Sequence, residues 1–158
     1  MEIIAWLEFY KKYFFTIEDV KQFFGNKNQR YNTIKRLMQK GRIVKLNIKK
    51  YYLIPIKAKS GGWVEDPFIL ADEIFNGRDY FIGGWSAANY WKLTEQIPMW
   101  IEVFTTKRQG KKIILNTRFI FRRTSPEKIK RAIKMYVKDH SFIVMNKEEM
   151  KEWMRSRR

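Results

Sequence analysis

Hydrophobic positions between Thr16 and Pro55 follow a helical period twice and then alternate. An amphipathic helix places an apolar residue at every third or fourth position, whereas a strand with one buried face alternates apolar and polar residues. The alternation occupies residues 42–54, in two short runs. The pattern therefore predicts two helices followed by a β-hairpin. The apolar positions of the two helices are Ile17, Val20 and Phe24, then Tyr31, Ile34, Leu37 and Met38.

Helix-capping residues stand where this pattern changes. Thr16 precedes a first turn with two acids, and Asn26 can cap the second helix, which Gly41 ends. The hairpin turn is predicted near residues 47–49. Two helices followed by a hairpin predict a winged helix-turn-helix, in which the second helix enters the major groove of DNA.

The polar face of the second helix carries side chains that can hydrogen-bond to bases. Residues 27–50 contain no Asp or Glu, whereas a face that is merely solvated usually mixes charges of both signs. Arg, Asn and Gln can each pair with a base edge through two hydrogen bonds. We therefore favour DNA recognition over simple solvation for this face. The predicted base-reading residues are Asn28, Gln29, Asn32, Thr33 and Arg36.

Cationic and polar residues around this face and along the hairpin are predicted to contact phosphates. Phosphate contacts position a protein on DNA and supply affinity without sequence information. The predicted set is Arg30, Lys35, Lys40, Lys45, Asn47, Lys49, Lys50 and Tyr52.

The chain is predicted to contain two domains. A helical stripe before the first pattern (Ile3, Leu7, Tyr10 and Phe14) completes a three-helix core, and the small residues between Lys57 and Gly62 suit a linker. The first domain spans residues 1–57 and the second spans residues 63–158.

The second domain is predicted to be a small mixed α/β domain with antiparallel strands, which gives an α+β fold class overall. Asp66-Pro67 can open a helix, Ser86 can cap another, and residues 107–112 form a basic turn. Residues 126–145 fit either a helix or a hairpin, and we favour the hairpin, followed by a last helix. The predicted strands are 80–82, 100–106, 113–115 and 118–123.

Charge makes a polyanion the leading class of partner. The net charge of the chain is +17, and residues 1–57 hold 13 Lys or Arg against 4 Asp or Glu. Residues 105–124 hold 7 cations and no acid. This second basic surface could extend a DNA footprint, contact an acidic protein or RNA, or be merely solvated. Its members are Lys107, Arg108, Lys111, Lys112, Arg118, Arg122 and Arg123.

Candidate catalytic residues are few. Gly84-Trp85-Ser86 resembles half of a nucleophile elbow but lacks the closing glycine, and the acids Asp66, Asp72, Glu73 and Glu102 have no paired spacing. We therefore predict no enzyme activity, no metal and no cofactor.

The chain has no cysteine and no apolar run of about 20 residues, which predicts a cytoplasmic protein without a membrane partner. Among the aromatic residues, core packing is favoured over base stacking for Trp6, Phe14, Phe23, Trp85, Trp91 and Trp100. Trp63 and Tyr52 are the better exposed candidates for stacking.

The run from Gly84 to Pro98, with Thr94-Glu95-Gln96-Ile97-Pro98 at its end, resembles the second-domain signature of AbiEi-type antitoxins. The stretches 41–44 and 52–55 resemble the wing of that family's N-terminal module. The resemblance implies a DNA-binding repressor that controls its own operon and counters a nucleotidyltransferase toxin of a type IV toxin–antitoxin system.

Two functions follow as predictions. The first is a sequence-specific regulator of transcription, a repressor that binds double-stranded DNA, with a homodimer expected on an inverted repeat because one module reads a short site. The alternative is an antitoxin, a protein-interaction module whose second domain neutralises a nucleotidyltransferase toxin. A less favoured third is an RNA-binding protein.

Overall fold

A computed structural model describes residues 2–55 and 65–157 and shows an α+β fold. The chain divides into two compact units, Met1–Trp63 and Val64–Arg158. The predicted linker from Lys57 to Gly62 and the predicted exposed Trp63 lie outside the described residues. Over the described residues, no helix combines the length and the apolar character needed to cross a membrane.

Unit 1 places three helices against a small antiparallel sheet. Its strands lie in the order β1-β3-β2, so that β3 is central. Helix α2 continues into a 3-10 turn at Lys21–Phe23. The elements are α1 (Ile3–Phe9), β1 (Phe14–Thr16), α2 (Ile17–Val20), α3 (Lys27–Gln39), β2 (Ile43–Lys45) and β3 (Lys50–Leu53).

The predicted helix caps of unit 1 are confirmed. The Thr16 hydroxyl accepts a bond from the backbone N–H of Asp19, whose carboxylate accepts from the backbone N–H of Thr16 in return. Asn26 caps α3 by accepting from the N–H of Gln29 at 2.8 Å. After α3, Gly41 has a φ of +69°, and the N–H of Arg42 reaches back to the carbonyl of Leu37 at 3.0 Å. These contacts fix both ends of α3.

The core of unit 1 is narrower than the periodicity predicts. Ile34 and Leu37 of α3 are buried, but Tyr31 and Met38, predicted as part of the same stripe, are 65% and 41% exposed. Tyr10, predicted to cover the core, is also exposed. Helix α3 therefore buries only the central row of its apolar stripe, and the flanking apolar residues stay at the surface. The buried core residues are Ile3, Ile4, Leu7, Phe15, Val20, Ile34, Leu37, Ile43, Tyr51 and Leu53.

Unit 2 is built on a six-stranded mixed sheet with the strand order β6-β7-β5-β4-β9-β8. The prediction of antiparallel strands is correct for three neighbouring pairs, but β5 pairs with β7 and β4 pairs with β9 in parallel. The elements are α4 (Pro67–Ile74), β4 (Tyr80–Ile82), α5 (Gly84–Tyr90), β5 (Ile101–Thr105), β6 (Gly110–Ile114), β7 (Thr117–Arg123), α6 (Pro126–Lys130), β8 (Ala132–Val137), β9 (His140–Met145) and α7 (Lys147–Arg155).

Two tight hairpins shape the edges of this sheet. The favoured hairpin is confirmed within residues 126–145, where β8 and β9 join through Lys138 and Asp139, both at positive φ. Leu115 and Asn116 form the same kind of turn between β6 and β7. The basic turn predicted for residues 107–112 is shorter than expected, because β6 begins at Gly110 and includes two of its lysines.

The predicted cap at Ser86 is wrong, because α5 begins at Gly84 and Ser86 lies inside it. Its hydroxyl accepts from the N–H of Glu102 at 3.0 Å and donates to the carbonyl of Trp100 at 3.3 Å. The Glu102 carboxylate instead closes the helix start by accepting from the N–H of Trp85 at 2.6 Å. Helix α5 is therefore tied to β5 through both polar side chains.

Gly84 leaves room for the Glu102 carboxylate. Its φ is +55°, and an added Cβ would lie 2.1 Å from Oε2 of Glu102.

Gly84→Ala should lower the free energy of unfolding by about 2 to 4 kcal/mol, from left-handed strain and overpacking together. Gly77→Ala is the matched control, since Gly77 has a φ of +76° but its Cβ would meet no atom closer than 3.8 Å. Urea unfolding followed by tryptophan fluorescence checks the difference, and equal losses would contradict the steric argument.

A polar cluster joins α4 to β9. The Tyr80 hydroxyl donates to Asp72 at 2.6 Å and accepts from the N–H of Ile143 at 2.9 Å. Burial and the bond to Asp72 raise the pKa of Tyr80 well above its usual value. Nearby, both ring nitrogens of His140 face acceptors, the Glu73 carboxylate at 3.0 Å and the Ser141 carbonyl at 2.7 Å.

The contact of His140 with Glu73 should make stability depend on pH. Burial alone would lower the pKa of His140, but the bond to Glu73 and the nearby carboxylates raise it above 6.5. The folded state therefore binds the proton more tightly than the unfolded state, so this contact stabilises the protein fully below pH 6.5 and less as pH rises through the folded pKa. His140→Gln should destabilise the chain more at pH 5.5 than at pH 8.5 in urea unfolding. An equal loss at both values would show that His140 does not titrate in this way.

Candidate nucleic-acid interface

Four of the five predicted base-reading residues lie along the outer face of α3, and they differ in how exposed they are. Asn28, Asn32 and Arg36 are exposed, and Thr33 is half-buried at the margin. At roughly 100° per residue, the three exposed side chains fall within about one quadrant of the helix. They form a polar strip along the helix, which we call the α3 strip.

Gln29, the fifth position, is exposed but its side-chain oxygen is engaged. Oε1 accepts from the backbone N–H of Gly25 at 2.5 Å, directly before the start of α3. Pairing with adenine would require both ends of the amide. Gln29 therefore stabilises the helix start, and it could read a base with both ends only by giving up this bond.

Gln39 is an exposed polar residue of the α3 strip that the sequence prediction omitted. Its helical angle places it between Asn28 and Asn32, one turn beyond Arg36. The same periodicity that selected the other positions could have found it. The prediction instead assigned the end of the helix to phosphate contacts, through Lys40.

The hairpin between β2 and β3 is closed by a side chain in place of the glycine common in such turns. The Asn47 side-chain oxygen accepts from the N–H groups of Lys49 and Lys50, each at 3.0 Å. Ile48 stands at the tip and is 87% exposed, and Lys45 and Lys49 are exposed on either side of it. Asn47 therefore holds the turn and presents its neighbours to solvent.

Tyr52, predicted to contact phosphates from the outside of the hairpin, is fully buried. Its ring packs 4.9 Å from that of Phe14. The prediction treated the hairpin as two strands with one solvated face. Because β3 is central, Tyr52 has a cross-strand neighbour on each side, Phe14 of β1 and Val44 of β2. Tyr51, Tyr52 and Leu53 are all buried, so neither face of β3 is exposed there. Tyr52 therefore stabilises the sheet and cannot reach a ligand.

A groove of about 800 Å³ lies between α3 and the hairpin. Tyr31 and Met38, which the pattern predicted as core residues, line part of it. Ile48 at the tip of the hairpin lines another part. Among its described lining residues, Glu18 is the one acid, and the cations are Arg30, Lys35, Lys45 and Lys49. Cations of α3 and of the hairpin therefore line the same concave surface, which makes its electrostatic potential positive.

The second basic set is divided by the pleat of the sheet. Lys111 pairs with Ile120 across β6 and β7, and Lys112 pairs with Phe119, so these two lysines lie on opposite faces. Arg118 and Arg122 share the face of Lys111. Several members bind neighbours: Lys107 lies 3.6 Å from Asp79, Arg122 3.1 Å from Glu102, and Arg123 donates to the Thr106 carbonyl. Arg108 lies over the ring of Phe121.

The four acids weighed as a catalytic set have separate structural contacts. Asp66 caps α4 as predicted, and Glu102 caps α5. Asp72 and Glu73 bind Tyr80 and His140. Within residues 2–55 and 65–157, no group of three or more such side chains is arranged to hold a metal ion.

Comparison with models of known protein families finds no match to this chain, and comparison with curated protein sequences finds none either. The resemblance to AbiEi-type antitoxins stays a prediction.

Proposed function

We propose that unit 1 is a winged helix-turn-helix and that the protein is a sequence-specific regulator of transcription, a repressor of its own operon, which binds double-stranded DNA in the cytoplasm. It acts by binding and not by catalysis. The observation that carries this proposal is the acid-free α3 strip beside a hairpin that presents lysines. The order of elements, from α1 through β1, α2 and α3 to the hairpin, and the sheet order β1-β3-β2 support it.

In this proposal, α3 lies in the major groove with the α3 strip toward the bases. Arg36 can donate two hydrogen bonds to guanine, and Asn32 can pair with adenine through its amide. Exposed Lys45 and Lys49 lie on the hairpin, where they meet flanking phosphates. Two copies on an inverted repeat would double the length of the site that one module reads.

Arg36→Ala tests base reading. Loss of a two-bond contact should weaken binding to the operator by about 1 to 3 kcal/mol and leave binding to a scrambled duplex nearly unchanged. Fluorescence anisotropy with the DNA upstream of the gene and with a scrambled duplex of equal length measures both affinities. Equal weakening on the two duplexes would contradict base reading by α3.

Lys49→Ala is the matched test of a phosphate contact. It should weaken both duplexes alike and reduce the slope of log K against log salt by about 0.9, the value for one phosphate on duplex DNA. The same titrations at four salt concentrations provide the slope. An unchanged slope would place the hairpin away from the phosphates.

A second function is favoured by one specific observation, the exposure of apolar residues before β5. Ile97 and Met99 are 80% and 73% exposed, and Ile97 lies in the stretch 94–98 on which the antitoxin resemblance rests. Exposed apolar side chains that form a contiguous patch mark sites of protein interaction, and we propose that these two residues belong to such a patch. In this reading unit 2 neutralises a nucleotidyltransferase toxin.

Ile97→Asp tests the antitoxin function. The variant should lose co-purification with a co-expressed nucleotidyltransferase toxin, because a charge would be buried in the interface, while its binding to DNA stays unchanged. Ile113→Asp, at another exposed apolar site of unit 2, is the control. Loss of co-purification in both variants would show a nonspecific effect.

A further inference from the structure

Two concavities of unit 2 lie on the same face of the six-stranded sheet and join each other. Their volumes are about 610 and 370 Å³, and both are lined by Trp85, Glu102 and Arg122. The larger one extends toward α7 and the smaller one toward β6. Together they form one continuous depression, which we call the sheet groove.

Three tryptophans follow the sheet groove from end to end. Trp153 of α7 lies at one end and packs edge to face against Trp85, with ring centroids 5.0 Å apart. Trp100, directly before β5, lies at the other end. Trp85 is 39% exposed and the other two are partly exposed, so each ring reaches the groove surface.

Cations lie against the outer two rings. Lys111 and Arg118 lie over Trp100 at 5.0 and 5.9 Å from the ring centroid, and Arg157 lies over Trp153 at 4.4 Å. Side chains of this length are mobile and lose little when they leave an exposed ring. A flat aromatic ligand could take the ring face while the displaced cation stays within reach of an adjacent anion.

Arg122 provides a fixed cation in the middle of the groove. Its Nε donates to Glu102 at 3.1 Å, and this bond leaves the two terminal nitrogens of the guanidinium for other acceptors. The acids that line the groove are themselves engaged, since Glu102 binds Arg122 and Glu149 lies 3.8 Å from Arg131. The groove therefore attracts anions.

We propose that the sheet groove binds single-stranded nucleic acid. Bases that stack on successive aromatic side chains, with phosphates held by interleaved cations, are the chemistry that this groove supplies. In a duplex the bases stack on each other and cannot reach the tryptophans. An acidic peptide would use the cations but would leave the three rings without a partner. A single strand uses both, and RNA and DNA strands share this chemistry.

Affinity for twelve-residue oligouridylate and oligothymidylate, measured by fluorescence anisotropy on the full chain, tests the proposal. Trp100→Ala should weaken both by roughly 5- to 150-fold, the range for loss of one base stack, with circular dichroism as the check of folding. Measurable binding of both oligonucleotides supports the proposal, and a difference between them would reflect the 2′-hydroxyl of the sugar and the C5 methyl group of the base together. Binding of neither one at low salt would overturn the proposal.

Lys111→Gln and Lys112→Gln form the matched pair, because these adjacent exposed lysines of β6 lie on opposite faces. Lys111→Gln should reduce the salt slope for single strands by about 0.7, and Lys112→Gln should leave it unchanged. Equal effects would mean that net charge alone attracts the strand, and the groove proposal would fail. An acidic dodecapeptide that binds more tightly than either oligonucleotide would also overturn it.

Failure of this proposal can be told apart from failure of the proposed duplex binding. Arg36→Ala should leave the affinity for single strands unchanged, while Lys111→Gln should leave the discrimination between operator and scrambled duplex unchanged. Single-strand binding that falls in parallel with duplex binding in Arg36→Ala would assign both to α3 and overturn the role of the groove.

Discussion

The carboxylate of Glu102 connects the elements of unit 2 that surround the sheet groove. The residue is only 8% exposed, and its carboxylate accepts from the first turn of α5 and from the guanidinium of Arg122 on β7. A buried carboxylate is tolerated only where hydrogen bonds replace its hydration. Gly84 is required at the start of α5 because no other residue leaves room for this contact. The position of α5 against the sheet, and of Trp85 within the groove, therefore depends on one charged group.

Unit 1 depends on short-range polar contacts rather than on a buried charge. Thr16, Asn26 and Asn47 each satisfy backbone N–H groups within a few residues, and Gly41 reverses the chain after α3. Such contacts fix where α3 begins and ends, since each helix end leaves backbone groups that need partners. The small hydrophobic core then packs together helices and strands whose ends these contacts already define.

The features that the sequence predicts best are those set by neighbours along the chain. The caps at Thr16, Asn26 and Asp66 and the hairpin within residues 126–145 are all local. Contacts between distant residues were missed. The parallel pairing of β5 with β7 joins residues far apart along the chain and has no local signal. The predicted turn over residues 107–112 also missed that Lys111 and Lys112 belong to β6, whose pleat places them on opposite faces. Ser86 has the residue type of a cap, but a distant carboxylate takes that role.

The burial of residues at the candidate interface is also poorly predicted from local patterns, because it depends on distant parts of the chain. Alternation correctly predicted the strands of the hairpin, yet it assigned Tyr52 to the solvated face because it could not show that β1 would make β3 a central strand. Conversely, Tyr31 and Met38 have the spacing of core residues but remain at the surface, since nothing in unit 1 covers the flanks of α3 within the described residues. A helical period shows which residues share a face, and only the neighbouring elements decide how wide the buried part of that face becomes.

The pairing of β4 with β9 has a consequence for synthesis of the chain. Ile82 lies beside Val144, so the centre of the larger sheet cannot form until residue 144 has left the ribosome. Among the described residues, the core cluster of unit 1 lies between Ile3 and Leu53, far earlier along the chain. Loops between distant strands also slow folding. A nascent chain therefore carries a folded unit 1 well before unit 2 closes, and the exposed strands of unit 2 are most vulnerable to aggregation during that interval.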